Sequence, residues 1–286
     1  MVNYKLTVSY DGSFFSGFQI QKNQDNLTVQ GELQRVLSMV FDSPIKISAA
    51  GRTDTGVHAT CQVVSFRHER LMKQFNLRRA ANGLLNGPVT ISSVEYESED
   101  FNARYSAKCR HYIYILDNNP YPCALMHTRA HWYPLPLDID RIKAGVKIFE
   151  GRHDFRNFAK GLEDIDTTER NLLAADVFTN DHITPTTVAK TNDINANNEL
   201  FSTHQPEYVR LLNNILIPQG NIIYFYFKGE AFLHSMVRLM VSTLMELGKG
   251  KISEQDIRSM LNCETERFPR IMNIPGKGLY LVGVDY

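Results

Sequence analysis

The residues best suited to chemistry lie in one loop, residues 50–59, which reads Ala-Gly-Arg-Thr-Asp-Thr-Gly-Val-His-Ala. Its two glycines permit a tight, exposed backbone path. Asp54 is the only carboxylate between them, two residues from Arg52 and four from His58. A lone carboxylate beside a cation, without a second acidic partner or a metal-ligand set, favours a nucleophile or a base that is held ionised. The pattern alone also fits an Asx turn, which is the commoner role of such an aspartate.

Composition limits the functions that this loop could serve. The chain has 286 residues and is 43% hydrophobic, enough for a large core. Lys plus Arg and Asp plus Glu each number 31, so binding to nucleic acid must use a local patch. The absence of a signal peptide or a long apolar run predicts a cytoplasmic protein. Four widely spaced cysteines favour free thiols over a zinc site or disulfides: Cys61, Cys109, Cys123 and Cys263.

The elements expected to position the loop alternate between strand and helix patterns. Tyr4, Leu6, Val8 and Tyr10 alternate with polar residues, as in a half-buried strand. Thr28 is a suitable N-cap for a helix. The remaining elements expected in the first half are strands at 45–50, 61–66 and 89–96 and a helix at 71–85.

The second half repeats this order of elements. Strands are expected at 111–116, 172–178, 221–228 and 279–285, and helices near Asp138, at 232–247 and after Ser253. The pattern predicts an α+β fold of two similar halves, 1–106 and 107–286, with a mainly antiparallel sheet flanked by helices and a central active-site cleft. Residues 181–220, rich in Asn and poor in basic residues, are interpreted as a surface insertion.

Several separated motifs resemble the TruA-type family of tRNA pseudouridine synthases. The first is Tyr-Asp-Gly followed by Gly-Phe-Gln-Ile-Gln, and the second is Gly-Arg-Thr-Asp-Thr-Gly-Val-His-Ala. The motifs follow the family's order and leave out only residues 181–220. They occupy residues 10–21, 51–59, 101–114, 151–158, 232–238 and 278–285.

This resemblance implies isomerisation of uridine to pseudouridine in tRNA, expected at positions 38, 39 and 40 of the anticodon arm. In this reaction the C1′–N1 bond is cleaved and the uracil is rejoined through C5. The resemblance implies no cofactor and no metal, tRNA as the partner, and a homodimer. A catalytically inactive RNA-binding or chaperone module is the alternative, whereas an aspartate hydrolase would lack the usual second carboxylate.

The resemblance also assigns roles to individual residues. Asp54 matches the essential aspartate, which either adds covalently to the nucleotide or acts as a base at the ribose. Arg238 matches the arginine that pairs with it, although an arginine on an apolar helix also fits a rim residue. Tyr112 matches the tyrosine that stacks on the target uracil, although ordinary packing beside Tyr114 fits its pattern too. Arg52 matches the residue that helps to displace the target base, or it contacts a phosphate.

Candidate RNA contacts are spread along the sequence, and they must cluster in space to bind phosphates. The motif at 151–158 is interpreted as structural, with Phe155 and Phe158 as core anchors and His153 and Asp154 in local hydrogen bonds. The candidate RNA contacts are Gln19, Lys22, Arg78, Arg79, Arg104, Lys108 and Arg110.

Overall fold

The computed structural model describes residues 1–21, 27–85, 87–163, 165–180 and 220–286. The strands in these ranges are β1 Val2–Tyr10, β2 Ser48–Ala49, β3 His58–His68, β4 Val89–Glu97, β5 Cys109–Asp117, β6 His131–Trp132, β7 Gly151–Asp154, β8 Glu169–Thr179, β9 Ile222–Gly229 and β10 Leu279–Asp285. The α-helices are α1 Val29–Phe41, α2 Gln74–Leu84, α3 Ile139–Val146, α4 Met236–Gly248 and α5 Glu254–Leu261.

These strands form one sheet, which confirms the predicted α+β class. The order is β4-β1-β3-β10-β5-β9-β8-β7, with β2 added at β3 and β6 at β5. Every neighbouring pair along this path is antiparallel except β10 with β3. The last strand therefore lies between the strands of the first half and those of the second. The exact division at residue 106 stays a prediction.

β10 sets the spacing across the middle of the sheet. Leu281 is in register with Ala59 of β3 on one side and with Tyr112 of β5 on the other. Since neighbouring strands lie about 4.8 Å apart, the backbones at Ala59 and Tyr112 are separated by roughly 10 Å. The loop that ends at β3 thus faces Tyr112 across one intervening strand.

Local sequence signals account for most helix boundaries. The Thr28 hydroxyl accepts a hydrogen bond from the Gly31 amide at the start of α1. Asp138 caps α3 in the same way, and Ser253 with Asp256 forms a capping box before α5. The predicted caps at Thr28 and near Asp138 are therefore confirmed, as is the helix expected after Ser253.

The core lies on both faces of the sheet. The larger cluster packs the helices on one face and includes Tyr112, Tyr114 and Leu281. The opposite face carries a smaller cluster around Ile113 and Tyr224. Alternate residues of β5 therefore point to different faces, as the period of a strand requires.

The structure corrects several predicted boundaries. The strand expected at 45–50 is only Ser48–Ala49, and β3 begins at His58, three residues before the expected start. The helix expected at 232–247 begins at Met236. The preceding residue, Ser235, is left-handed with φ 63° and ψ 6°, so the chain cannot be helical there.

Three further expectations concern the 151–158 motif, the insertion at 181–220 and membrane-spanning helices. Phe155 and Phe158 are fully buried, His153 bonds to Glu150, and Asp154 pairs with Arg156, so the 151–158 motif is structural as predicted. The expected insertion lies outside the described residues, apart from residue 220. No helix in the described ranges is long and apolar enough to span a membrane.

Candidate active site

Asp54 lies in the loop between β2 and β3, and neighbouring backbone fixes this loop. The Phe18 amide donates to the Thr53 carbonyl at 3.0 Å, and the Val57 amide donates to the Asp54 carbonyl at 3.2 Å. Gly17 has φ 99°, and a Cβ on it would lie 3.0 Å from the Thr53 carbonyl oxygen. A glycine is required here both for the backbone conformation and for the close approach.

Three side chains lie around the Asp54 carboxylate: His234 and Ser235 from the segment that leads into α4, and Arg238 from the first turn of α4. Arg238 Nη1 lies 3.0 Å from Oδ2, and the Ser235 hydroxyl donates to the same oxygen at 3.4 Å. His234 Nε2 lies 3.4 Å from Oδ1. The side chain of Asp54 is 28% exposed, so a substrate can still approach it. The structure thus brings together Asp54 and Arg238, which are 184 positions apart.

The Arg238 side chain is held in place at a second point. Its Nε donates to the Ile274 carbonyl at 2.6 Å, while Nη1 faces Asp54. Only 13% of the side chain is exposed, which disfavours the rim alternative. A permanently charged, immobilised guanidinium presents a fixed hydrogen-bond donor that orients the neighbouring carboxylate.

Ser235 and His234 were not among the predicted site residues. The Ser235 hydroxyl accepts a hydrogen bond from Asn273 Nδ2 at 3.1 Å and donates its own O–H to Asp54 Oδ2. Its left-handed backbone is unusual for a residue other than glycine, and such conformations concentrate at functional sites. The sequence signal was their position in the 232–238 motif, but the helix prediction for that stretch obscured it.

Tyr112 closes the site from β5. It is 7% exposed and contacts the ring of Phe232 edge to face, with centroids 5.0 Å apart. A Cβ on Gly51 would lie 3.6 Å from its hydroxyl, so this hydroxyl faces the loop that carries Asp54. Burial, reinforced by Tyr10, raises the pKa of Tyr112, and the phenol is therefore protonated at neutral pH.

Polar contacts buried behind the loop hold it against the sheet. The Tyr10 hydroxyl lies 2.8 Å from Thr53 Oγ1, and Gln62 Nε2 donates to the Gly51 carbonyl at 2.8 Å. Burial raises the pKa of Tyr10 to about 12. These neutral groups fix the loop without adding a charge next to Asp54.

His58 stabilises the structure around the loop and does not take part in its chemistry. Its Nδ1 accepts from the Gly12 amide at 3.1 Å, and its Nε2 lies 2.9 Å from the Thr128 carbonyl. Because an amide only donates, Nδ1 carries no proton and the ring is neutral. Burial lowers the pKa of His58, which agrees with this tautomer. The ring stacks on Tyr280 at 4.6 Å, so its closeness to Asp54 in sequence does not make the two partners.

Most predicted RNA contacts are exposed, but their convergence stays a prediction. The exposed ones are Gln19, Arg52, Arg78, Arg79, Arg104 and Lys108, whereas Lys22 lies outside the described residues. Arg110 departs from the expectation, because its guanidinium bonds to backbone carbonyls inside the protein. This geometry does not support the phosphate contact that the sequence suggested for it.

A groove of about 490 Å³ lies beside the Asp54 partners. It includes Asn273, which bonds to Ser235, and Lys160, whose amide donates to the His234 carbonyl at 3.1 Å. Lys160 is exposed, and Arg267 adds a second positive charge to the lining. Sequence reasoning missed both, since neither falls in a basic run. Apolar residues complete the lining: Leu239, Phe268, Pro269, Ile271 and Met272.

In the part of the chain that the structure describes, no group of three or more His, Cys, Asp or Glu side chains is arranged to hold a metal ion. The expectation that the reaction needs no metal or cofactor stays a prediction.

Comparisons with known proteins agree on one family. A family model described as tRNA pseudouridine synthase matches residues 6–106 and 146–286. A protein named tRNA pseudouridine synthase A from Dictyoglomus thermophilum is 33% identical over 290 residues, covering both chains completely. Proteins of the same name from Oceanobacillus iheyensis and Leuconostoc mesenteroides are 35% and 34% identical to this chain. Both alignments cover all of this chain, and they cover 97% and 100% of the two relatives.

Proposed function

Because the chain belongs to the tRNA pseudouridine synthase family and is an isomerase, we propose that it converts uridine to pseudouridine at positions 38, 39 and 40 of the tRNA anticodon arm, with Asp54 as the essential carboxylate. The observation that carries this proposal is the 3.0 Å ion pair between Asp54 and Arg238. It joins the two separated motifs in one partly open site.

The chemistry is balanced within one nucleotide. The C1′–N1 bond breaks, a C1′–C5 bond forms, C5 loses a proton and N1 gains one. Asp54 starts the reaction either by adding to the nucleotide or by removing a proton at the ribose, and both routes need an ionised carboxylate. Arg238 supplies a positive charge and a hydrogen bond, Ser235 supplies a second hydrogen bond, and His234 contacts the other oxygen, so together they orient the carboxylate.

Tyr112 and Arg52 contribute to handling the base in this proposal. Tyr112 places a protonated phenol against the catalytic loop, where an extruded uracil would stack on the ring. Its low exposure implies that Phe232 or the loop shifts when the base enters. The exposed Arg52, two residues before Asp54, is placed to fill the space that the base leaves.

The substrate would be a folded tRNA bound by a homodimer in the cytoplasm. An extruded nucleotide must remain connected to its helix, so basic groups near the site have to hold the flanking phosphates. Lys160 and Arg267 are suited to this role because they add positive charge to the groove that contains Asn273, the partner of Ser235.

Mapping of pseudouridines in total tRNA tests the proposal. Cells that lack the protein should lose the modification at positions 38, 39 and 40, and wild-type protein should restore it. Asp54→Asn keeps the shape but removes the ionised oxygen, so we expect it to restore none while binding tRNA within about tenfold of wild type. Substantial modification by Asp54→Asn would refute the role of Asp54, and an unchanged map in the deletion strain would refute the target positions.

A further inference from the structure

Among the described residues, the hydrogen bonds of the Arg110 guanidinium all go to backbone carbonyls. Its Nε and Nη2 donate to the Ala50 carbonyl at 3.1 and 2.8 Å. Its Nη1 donates to the carbonyls of Ala107 and Glu230 at 3.0 and 2.7 Å. Its Nη2 also donates to the Arg104 carbonyl at 2.9 Å. A guanidinium has five N–H donors, so these bonds occupy all of them.

The carbonyls bound by Arg110 come from both sides of the site. Ala50 lies at the start of the loop that carries Asp54, four residues on. Glu230 follows β9 and is four residues before His234, in the segment that supplies the donors around Asp54. One planar group therefore links the segment holding the carboxylate to the segment holding its partners.

These hydrogen bonds also argue against a contact between Arg110 and an RNA phosphate. A phosphate oxygen needs a free N–H, and binding one here would require breaking a bond to the backbone. Arg110 is half-buried, and burial lowers its pKa, although an arginine remains protonated at neutral pH. Its charge is instead matched by the partial negative charges of four carbonyl oxygens.

We propose that Arg110 is a positioning residue that sets the separation between Asp54 and its donors His234, Ser235 and Arg238, and that it does not bind RNA. The proposal rests on the function proposed above. Only arginine provides five donors in a rigid plane, so a lysine cannot replace it. Loss of the bonds to Ala50 and Glu230 would let the two segments move apart, and small misplacements of reacting groups are costly.

Two substitutions separate positioning from charge. Arg110→Lys keeps the charge with fewer donors and no plane, and Arg110→Met removes both. Arg67→Lys is the matched control, because Arg67 also donates to a backbone carbonyl, that of Glu99, at the far end of β3. The measurements are the single-turnover rate at saturating tRNA, the Kd for tRNA as a function of salt, and the thermal melting curve.

We expect both Arg110 variants to lose about 10- to 100-fold in single-turnover rate. The Kd should stay within about threefold, and its salt dependence should be unchanged, because no phosphate contact is removed. Arg67→Lys should retain the wild-type rate. Hydrogen exchange should accelerate at residues 50–57 and 230–236 in the Arg110 variants and stay unchanged in the control.

Three results would overturn the proposal. A wild-type rate for Arg110→Lys would show that the charge alone suffices. A Kd raised more than tenfold in Arg110→Met, with the salt slope reduced by about one, would identify a phosphate contact. Loss of cooperative melting in both variants would make Arg110 a determinant of the fold. If wild-type protein made no pseudouridine, the proposed function would fail, while hydrogen exchange would still test the positioning role.

Discussion

At the scale of single residues, the site is a carboxylate whose donors approach both of its oxygens. Arg238 and Ser235 approach Oδ2, and His234 approaches Oδ1. Of these partners Arg238 alone is charged at every accessible pH, so it supplies the permanent positive charge that faces the carboxylate. Ser235 has a different role, since its hydroxyl is neutral and its backbone is strained.

Substitutions of Ser235 separate its hydroxyl from its backbone. Ser235→Ala and Ser235→Gly both remove the hydrogen bond to Asp54, so we expect similar losses of about tenfold in single-turnover rate. Ser235→Gly should be the more stable of the two by about 1 kcal/mol, because glycine adopts a left-handed conformation without strain. Denaturant unfolding and single-turnover kinetics measure the two effects. A wild-type rate for Ser235→Ala would show that the 3.4 Å contact is incidental.

At the scale of elements, the segment before α4 determines both the site and its surroundings. The same few residues hold Asp54, accept the Lys160 amide through the His234 carbonyl, and bond to Asn273. The groove next to them therefore shares Asn273 and Lys160 with the hydrogen bonds that support the Asp54 site. The positive charges of the groove are those of Lys160 and Arg267, which lie far apart in the sequence.

Removing the charge at Lys160 tests the groove as an RNA contact. We expect Lys160→Met to weaken tRNA binding about three- to tenfold at low salt and to reduce the salt slope by about one, because one phosphate contact is lost. Lys46→Met is the control, an exposed lysine on the loop that follows α1. Equal binding by the two variants would mean that the groove does not contact phosphate.

The short strand β6 carries a histidine whose titration affects stability. Burial, with Lys277 and Lys249 nearby, lowers the pKa of His131 to about 4. The unfolded chain therefore takes up a proton near pH 6.5 that the folded protein does not, so stability falls as the pH decreases from about 6.5 towards 4. Between pH 7 and pH 5, we expect the free energy of unfolding of His131→Gln to fall by about 1 kcal/mol less than that of the wild type.

Denaturant unfolding at both pH values measures this difference. The matched control is His127→Gln, which removes an exposed histidine from the same connection between β5 and β6. The control should keep the wild-type dependence on pH. A parallel loss of stability in wild type and His131→Gln would show that another group causes the acid sensitivity.

At the scale of the whole molecule, one continuous sheet connects the two halves through β10. This strand fixes the distance between the loop that carries Asp54 and Tyr112, since Leu281 is in register with both neighbouring strands. On the C-terminal side, β8 and β9 pair up to Thr179 and Ile223, and Asn180 Nδ2 donates to the Gly220 carbonyl at 3.0 Å. The two ends of the intervening segment are therefore adjacent.

This adjacency makes the predicted insertion testable. We expect replacement of residues 182–217 by a short Gly-Asn turn to change the Tm by less than about 3 °C, because a hairpin turn can join the paired ends and little apolar burial is lost. The set of modified uridines or the self-association should change, which pseudouridine mapping and sedimentation would detect. Unfolding of the shortened protein would show that the apolar residues at 209–216 belong to the core.

The sequence by itself determined what depends on neighbouring residues. The alternation in β1, the cap at Thr28 and the helix that follows Ser253 depend on residues within a few positions, and all three were predicted correctly. The separated motifs indicated the family, and with it the expectation that Asp54 and Arg238 meet.

Only the tertiary structure decided how the site is completed. Ser235 is left-handed where its sequence favoured a helix, and hydrogen bonds to Asp54 and Asn273 hold it there. Arginine commonly binds phosphate, yet the N–H donors of Arg110 are occupied by backbone carbonyls up to 120 positions away in the sequence. Contacts between distant segments leave no local pattern, because the energy that selects them arises only when the chain has folded.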